Sequence, residues 1–203
     1  MLSFHPENQT ERENYKLLVG SIIPRPIAFV TTQAADGTLN GAPFSYFNIV
    51  SSNPPLVSLA IQRRNGIMKD TARNISETRE FVIHIVDEQN VNSVNRTAAT
   101  LPANESEITL ASLTPVPSKE ISVPGVQEAK VRFECMLEQM ISLEGTDGEP
   151  GSELIIGRII TYHIDEDIYE DGKINPEKLA AVSRLAGSNY AKVGEIFSIE
   201  RPK

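Results

Sequence analysis

Between Arg63 and Asn74 the sequence reads RRNGIMKDTARN, a local knot of positive charge in an acidic chain. Arg63, Arg64, Lys69 and Arg73 face a single acid there, Asp70, although the 203 residues together carry a formal charge of −8. The stretch follows an apolar run, breaks at Asn65-Gly66 and then takes on helical character. A helix N-terminus gathers unpaired N–H groups and about half a positive charge, so it attracts anions. Asp70 or Thr71 is the expected N-cap, which aims that end at whatever Lys69 and the arginines face. A phosphate monoester, with a charge of about −2, suits such a cluster. The competing reading is a solvated loop with a capping aspartate, since charge runs are usually wet surface. The sequence has no GKS/T signature, so this is not a Walker loop.

A second candidate is GAPFSYFNIVSS, residues 41–52. Ser45, Tyr46, Phe47, Asn48, Ser51 and Ser52 put hydroxyls, an amide and two aromatics on one extended stretch. Such a strand can line a site for a planar ligand that forms hydrogen bonds. Alternatively, Phe44 and Phe47 are core and the serines face water. The histidines point to less. His84 sits in an apolar strand and reads as a satisfied interior residue. His163 precedes the acidic turn DEDIYEDG and is either a proton donor or a structural partner. Cys135 keeps a core-facing period, which argues against a reactive thiolate. Nothing has metal-ligand spacing, and the acidic turn lacks the calcium-loop pattern. No GxSxG elbow supports a serine nucleophile.

The chain that must position these residues is long enough to bury about 70% of its unfolded surface without a staple. Its single cysteine rules out an intrachain disulfide. No apolar run nears the ~20 residues of a membrane span, and the start, MLSFHPENQTEREN, is unlike a signal peptide. A cytoplasmic protein is expected. The acidic balance argues against nucleic acid, whose binding rests on basic contacts to phosphates. One domain over 1–203 is expected, mainly β.

Thr10 and Glu13 form a capping box that opens a helix ended by Gly20, with Tyr15, Leu18 and Val19 on one face. Strands are expected at 26–33, 38–50 and 56–62, with a tight turn at Asp36-Gly37 and a break at Asn53-Pro54-Pro55. REFVIHIVD (79–87) is a further strand, and NVNSVNRTAA (90–99) a short helix. SETRE (76–80) and the proline-rich residues 101–126 read as loop. In residues 129–145, Val131, Phe133, Cys135 and Leu137 alternate with polar neighbours, the clearest strand pattern. TDGEPGSE (146–153) is a turn-rich link to LIIGRIITYHID (154–165), whose Gly157 marks a bulge or a close backbone approach. Asn175 and Pro176 open a helix to about Val182, and EIFSIERP (195–202) is extended. Strands at hairpin spacing with helices at the margins make a β-barrel with peripheral helices.

In this order, PRPIAFVTT (24–32), GAPFSYFNIVSSNPPLV (41–57), KDTARNI (69–75), VRFEC (131–135), IIGRI (155–159) and RLAGSNY (184–190) make the chain resemble the flavin reductase-like family. These are the split barrels that include flavoredoxins. The resemblance spans nearly all of the chain from about residue 15. It implies an FMN-binding split β-barrel, a homodimer with non-covalent FMN near the subunit interface. Ser45, Tyr46, Phe47 and Asn48 would run beside the ribityl chain and ring, with Ser51 on the same stretch. Lys69, Asp70 and Thr71, with Arg63, would hold the phosphate. Thr31 and Thr32 end the first barrel strand, where members of the family approach the flavin. Arg184 and Tyr190 match the C-terminal motif, without an assigned role.

The implied activity is NAD(P)H:flavin oxidoreduction, with NADH or NADPH as electron donor. The cofactor carries the chemistry, so no catalytic acid or base is nominated, His163 being the remote candidate. The alternatives are a flavoredoxin-like electron carrier that exchanges electrons with a redox partner protein, or a barrel that binds ligand without turnover. No GxGxxG follows a strand, so a separate nicotinamide domain is not expected. Nicotinamide preference and the final electron acceptor are not written in the sequence.

Overall fold

The computed structural model describes residues 1–102, 105–145 and 148–202. The expected loop through Ala103 and Asn104 and the expected turn at Thr146 and Asp147 therefore lie outside the described residues. The ten strands that matter here are β1 (Arg25–Pro26), β2 (Ala28–Gln33), β3 (Leu39–Phe44), β4 (Phe47–Ser52), β5 (Pro55–Gln62), β6 (Glu80–Ile85), β7 (Val131–Glu144), β8 (Pro150–Ile164), β9 (Val182–Arg184) and β10 (Tyr190–Lys192). The helices are α1 (Glu11–Ser21), α2 (Asp70–Thr78), α3 (Val91–Arg96), α4 (Glu107–Leu110) and α5 (Pro176–Leu179).

Seven strands form one antiparallel sheet in the order β3-β2-β6-β7-β8-β5-β4. Strands β3 and β4 stand at opposite edges, although Ser45 and Tyr46 alone separate them in the chain. So short a link forces the sheet to roll until its edges approach. The fold is mainly β, and this rolled sheet is a split barrel. The single strand expected over 38–50 is thus two: β3 pairs with β2 and β4 with β5, and the chain changes partner at Ser45–Tyr46.

Inside the barrel pack Val30, Leu59, Ile61, Phe81, Ile83, Cys135 and Ile155, with Ala72 and Ile75 of α2 against them. A second cluster on the outer face joins Phe29, Val94, Ile108 and Val182. Strand β2 is therefore covered on both sides, and Ala28–Thr32 is continuously buried instead of alternating. Packing by Ile75 also carries α2 through Thr78, so the expected SETRE loop is largely helix. Arg79, with φ 63°, ends it in the left-handed conformation.

Gly157 sits where a Cβ would come within 2.4 Å of Phe81 Cζ. Phe81 is fully buried and has nowhere to go. Gly157→Ala is expected to cost about 1–3 kcal/mol through overpacking, read as a lower urea midpoint at unchanged m. An unchanged midpoint would show that the ring can shift.

The capping box forms as expected, with Thr10 and Glu13 bonded reciprocally. Of the three residues on the apolar face of α1, Val19 is buried, whereas Tyr15 and Leu18 are exposed. At the other end, α5 is shorter than expected. Ala180 (φ 51°) stops it, and Val182 then leaves to start β9. A small sheet, β1-β9-β10, pairs Arg25 with Arg184 and Arg184 with Tyr190. Residues 195–202 form no strand, and Ile196, Phe197 and Ile199 are exposed.

Candidate functional site

The N-terminus of α2 opens onto a cavity of about 460 Å³ walled by β3, the 64–71 segment, residues 97–101 and Glu107 of α4. Lys69, not Asp70 or Thr71, is the N-cap, and it makes no side-chain capping bond. An ammonium can only donate, so it leaves the first-turn N–H groups without the usual oxygen acceptor. Asp70 instead pairs with Arg73 at 2.6 Å.

The four cations of this segment have separate fates. Arg63 does not line the cavity; it pairs with Glu153, at 2.8 Å from Nε and 2.5 Å from Nη2. Arg73 is paired with Asp70. Arg64 lines the cavity and donates to Thr100 Oγ1 at 2.7 Å across it. Lys69 lies 5.9 Å from the centre of the Phe44 ring and has no carboxylate partner among the described residues. Partial burial and then the nearby Arg64 hold its ammonium below the ordinary lysine range. An anion between Arg64 and Lys69 relieves that repulsion.

Behind the cations lies a buried polar network. The hydroxyls of Thr71 and Thr32 both donate to Asn40 Oδ1, at 2.9 and 3.2 Å. Asn74 Nδ2 donates to Thr32 Oγ1 at 3.1 Å. Asn40 Nδ2 and the Gly41 N–H in turn donate to Glu107 Oε2, at 3.0 and 3.3 Å. Burial, with a smaller push from Asp70, leaves the Glu107 carboxyl above the ordinary range despite those bonds. A Cβ at Gly41 would come within 2.5 Å of Ile108 Cδ1 and 2.9 Å of Phe29 Cζ, both on buried side chains, so β3 passes too close to them here for a larger residue without repacking.

A second cavity of about 200 Å³, the annex, adjoins the first and shares Pro43, Phe44 and Ala98 with it. Its walls are mostly apolar, from Ile27, Val86, Val91 and Val94, with Ser45, Asn95, Arg184 and Tyr190 supplying polar groups. Together the two form a groove, cationic at one end and apolar with a polar rim at the other.

Of the residues expected at a site, Ser45, Lys69, Asp70 and Thr71 line this groove. Thr32 supports it through Asn40, whereas Thr31 is fully buried and donates to Pro124 O at 2.8 Å. Phe47 packs against the barrel core. Tyr46 faces a different depression beside α1, its hydroxyl buried without a partner among the described residues. Asn48 and Ser51 lie on the edge strand β4, where their side chains accept the N–H groups of Ile49 and Asn53. Sequence reasoning missed Asn40, Asn95 and Glu107. None has a motif of its own: Asn40 lies on β3, and Asn95 and Glu107 arrive on the short helices α3 and α4.

The remaining titratable groups are structural. His84 is fully buried, accepts the Val126 N–H at Nε2 and so donates from Nδ1 to Phe29 O at 2.9 Å. Burial pushes its pKa down to about 3, so it stays neutral. Burial pushes the Cys135 thiol far up. His163 lies outside the groove, 2.6 Å from Glu134 Oε1. No group of three or more His, Cys, Asp or Glu among the described residues could hold a metal ion.

Glu134 is fully buried. Burial pushes its pKa up, but the N–H groups of Lys119 and Glu120 together with His163 outweigh this, and the net shift is downward. A carboxyl lowered in the folded state stabilises above its unfolded value and loses that contribution as pH falls through the folded one. Glu134→Gln is therefore expected to be less stable than wild type at pH 7. The gap should begin to close only below the ordinary glutamate value of 4.5. Urea unfolding across pH 7 to 3.5, roughly spanning that value, checks this. A gap that stays constant into acid would contradict it.

Residues 19–179 match the flavin reductase like domain family. The solved structure of nitrilotriacetate monooxygenase component B from Bacillus cereus is 58% identical and superposes with a TM-score of 0.96 over 98% of each chain. The 2-nitrobenzoate 2-nitroreductase NbaA of Pseudomonas fluorescens is 28% identical, with a TM-score of 0.88 over 99% of this chain and 96% of that one. Flavoredoxin of Desulfovibrio vulgaris (Miyazaki F) is 26% identical, with a TM-score of 0.76 over 88% of this chain and 91% of that one.

Proposed function

The chain belongs to the flavin reductase-like family, and from that premise we propose that it is an oxidoreductase that holds FMN non-covalently and reduces it with NADH or NADPH. The observation that carries the FMN reading is the shared opening of Lys69, Arg64 and the uncapped α2 N-terminus onto one cavity. These groups fit a phosphate monoester: two cations and a set of backbone donors converge on it. Thr71 takes part through its N–H, since its hydroxyl proton is already given to Asn40. Asn40 and Glu107 face the polyol, and the apolar annex takes the ring.

When bound, FMN supplies the site for hydride acceptance. The work of the chain is to bind and orient it and to keep water from one face. Ile27, Val86, Val91 and Val94 give the annex its dry wall. No side chain in the groove is asked to move a proton, in keeping with His163 lying elsewhere.

The nitroreductase and the monooxygenase component, both oxidoreductases by name, favour turnover with a small donor. The flavoredoxin likeness and a net charge of −8 favour a second reading, an electron carrier steered to a basic protein partner. We further propose a homodimer, because α1 and β4 leave Leu18, Ile22, Ile49 and Val50 exposed. With one buried, unpaired cysteine the chain suits the cytoplasm. No helix among the described residues is long and apolar enough to cross a membrane.

Anaerobic titration of the FMN-loaded protein with NADPH and then NADH, following the visible flavin band, tests the reading. Rapid bleaching supports a reductase and identifies the nicotinamide. A band that dithionite bleaches and neither nicotinamide touches makes the protein a carrier.

A further inference from the structure

Arg25 and Arg184 stand directly opposite each other across β1 and β9. Like charges at paired positions repel, and neither has a carboxylate within ion-pair distance among the described residues. Arg25 is buried and spends its donors on the carbonyls of Val19, Ile22 and Leu185, with Nε toward Ser45 Oγ. Arg184 is less committed. It gives one donor to Gly187 O at 2.5 Å, and its guanidinium lies 4.5 Å over the Tyr190 ring. The Tyr190 hydroxyl donates to Asn95 Oδ1 at 3.0 Å, which ties the stack to α3. Arg184 and Tyr190 both line the annex. A guanidinium cannot shed its proton in a protein. An acidic chain thus keeps two arginines at paired positions beside the annex, held by carbonyls and a ring with no carboxylate partner among the described residues.

Resting on the FMN reading above, the phosphate already has Arg64 and Lys69 at the opposite end. The annex receives the flavin ring. That ring is neutral when oxidised; two electrons and one proton, which a hydride delivers together, convert it to an anion. We propose that Arg184, backed by Arg25, stabilises the reduced anionic ring over the oxidised one and so raises the reduction potential of the bound flavin. The charge is placed near the ring rather than near the phosphate, and it acts without donating a proton. Tyr190 and Asn95 hold the guanidinium in place.

The test is the affinity of wild type, Arg184→Met and Arg184→Lys for FMN and for riboflavin, each oxidised and dithionite-reduced. Arg184→Met is expected to weaken the binding of reduced FMN about tenfold more than that of oxidised FMN. For a two-electron couple that ratio is a fall of about 30 mV in midpoint potential, which dye equilibration reads independently. Arg184→Lys should keep most of the wild-type ratio, and riboflavin should show the same change as FMN. Equal weakening of both redox states, an unchanged ratio, or a loss confined to FMN overturns the proposal. If the Met variant does not fold, Arg184→Gln removes the charge while keeping a polar group and is read in the same way. Wild-type protein that binds neither flavin would overturn the FMN reading itself, a result distinct from flavin bound with an Arg184-independent potential.

Discussion

Replacing Arg64 and Lys69 together by alanine is expected to weaken FMN binding roughly 100-fold while changing riboflavin binding by less than about threefold. Hydrogen bonds to a charged group contribute about 1.5–3 kcal/mol each. Both side chains sit at a wetted rim, so the low end of that range applies to each. The two ligands differ by the phosphate alone, which separates its recognition from that of the ring. The loss should shrink as salt is raised, because exposed charges are screened within about 10 Å at 0.1 M. Equal losses for both flavins, measured by fluorescence quenching, would remove the phosphate from this end of the groove.

Arg63→Ala should behave in the opposite way. It is expected to lower folding stability by about 3–5 kcal/mol, the cost of leaving a buried charge without its partner, and to leave the FMN to riboflavin ratio unchanged. The reason is Glu153, fully buried on β8, whose Oε1 accepts two bonds from Arg63 while Oε2 has no partner among the described residues. Replacing both residues, Arg63→Met with Glu153→Leu, should recover most of the loss, because the burden is the stranded carboxylate and not the missing pair. Urea unfolding reads the stability and quenching reads the ratio. A stable Arg63→Ala protein with a selective loss of FMN would show that Arg63 serves the ligand instead.

These two outcomes separate residues that look alike in the sequence. Arg63 and Arg64 are adjacent and equally basic, and charge counting treats them as one cluster. Their strand-end alternation sends one toward Glu153, ninety positions away, and the other toward Thr100. Nothing local in RRNG reveals either partner. The helix start at α2 was legible because Met68-Lys69-Asp70-Thr71 leads into Ala72 and Ile75, which must reach the core. The identity of the cap was not, because Asp70 has the usual capping chemistry and is drawn away by Arg73.

The barrel itself was legible from alternation in Val131–Leu137 and from the turns at Asp36-Gly37 and Asn53-Pro54. Its closure was not, since that depends on β3 and β4 pairing at opposite edges of the sheet. The rich run Ser45–Ser51 read as one wall of a site. The change of partner at Ser45–Tyr46 instead splits it: Ser45 faces the groove, Tyr46 faces α1, and Asn48 and Ser51 lie on an edge. Arg184 and Tyr190 carried a motif without a role. The cross-strand position of Arg25, visible in the pairing alone, underlies the role proposed for Arg184.

The most direct measurement is a crystal structure of the protein with FMN. Phosphorus density between Lys69 and the first turn of α2, with the ring running past Ser45 toward Arg184, is the expected result. Phosphorus beside Arg184, or FMN bound outside the groove, would contradict both the phosphate site and the role given to Arg184.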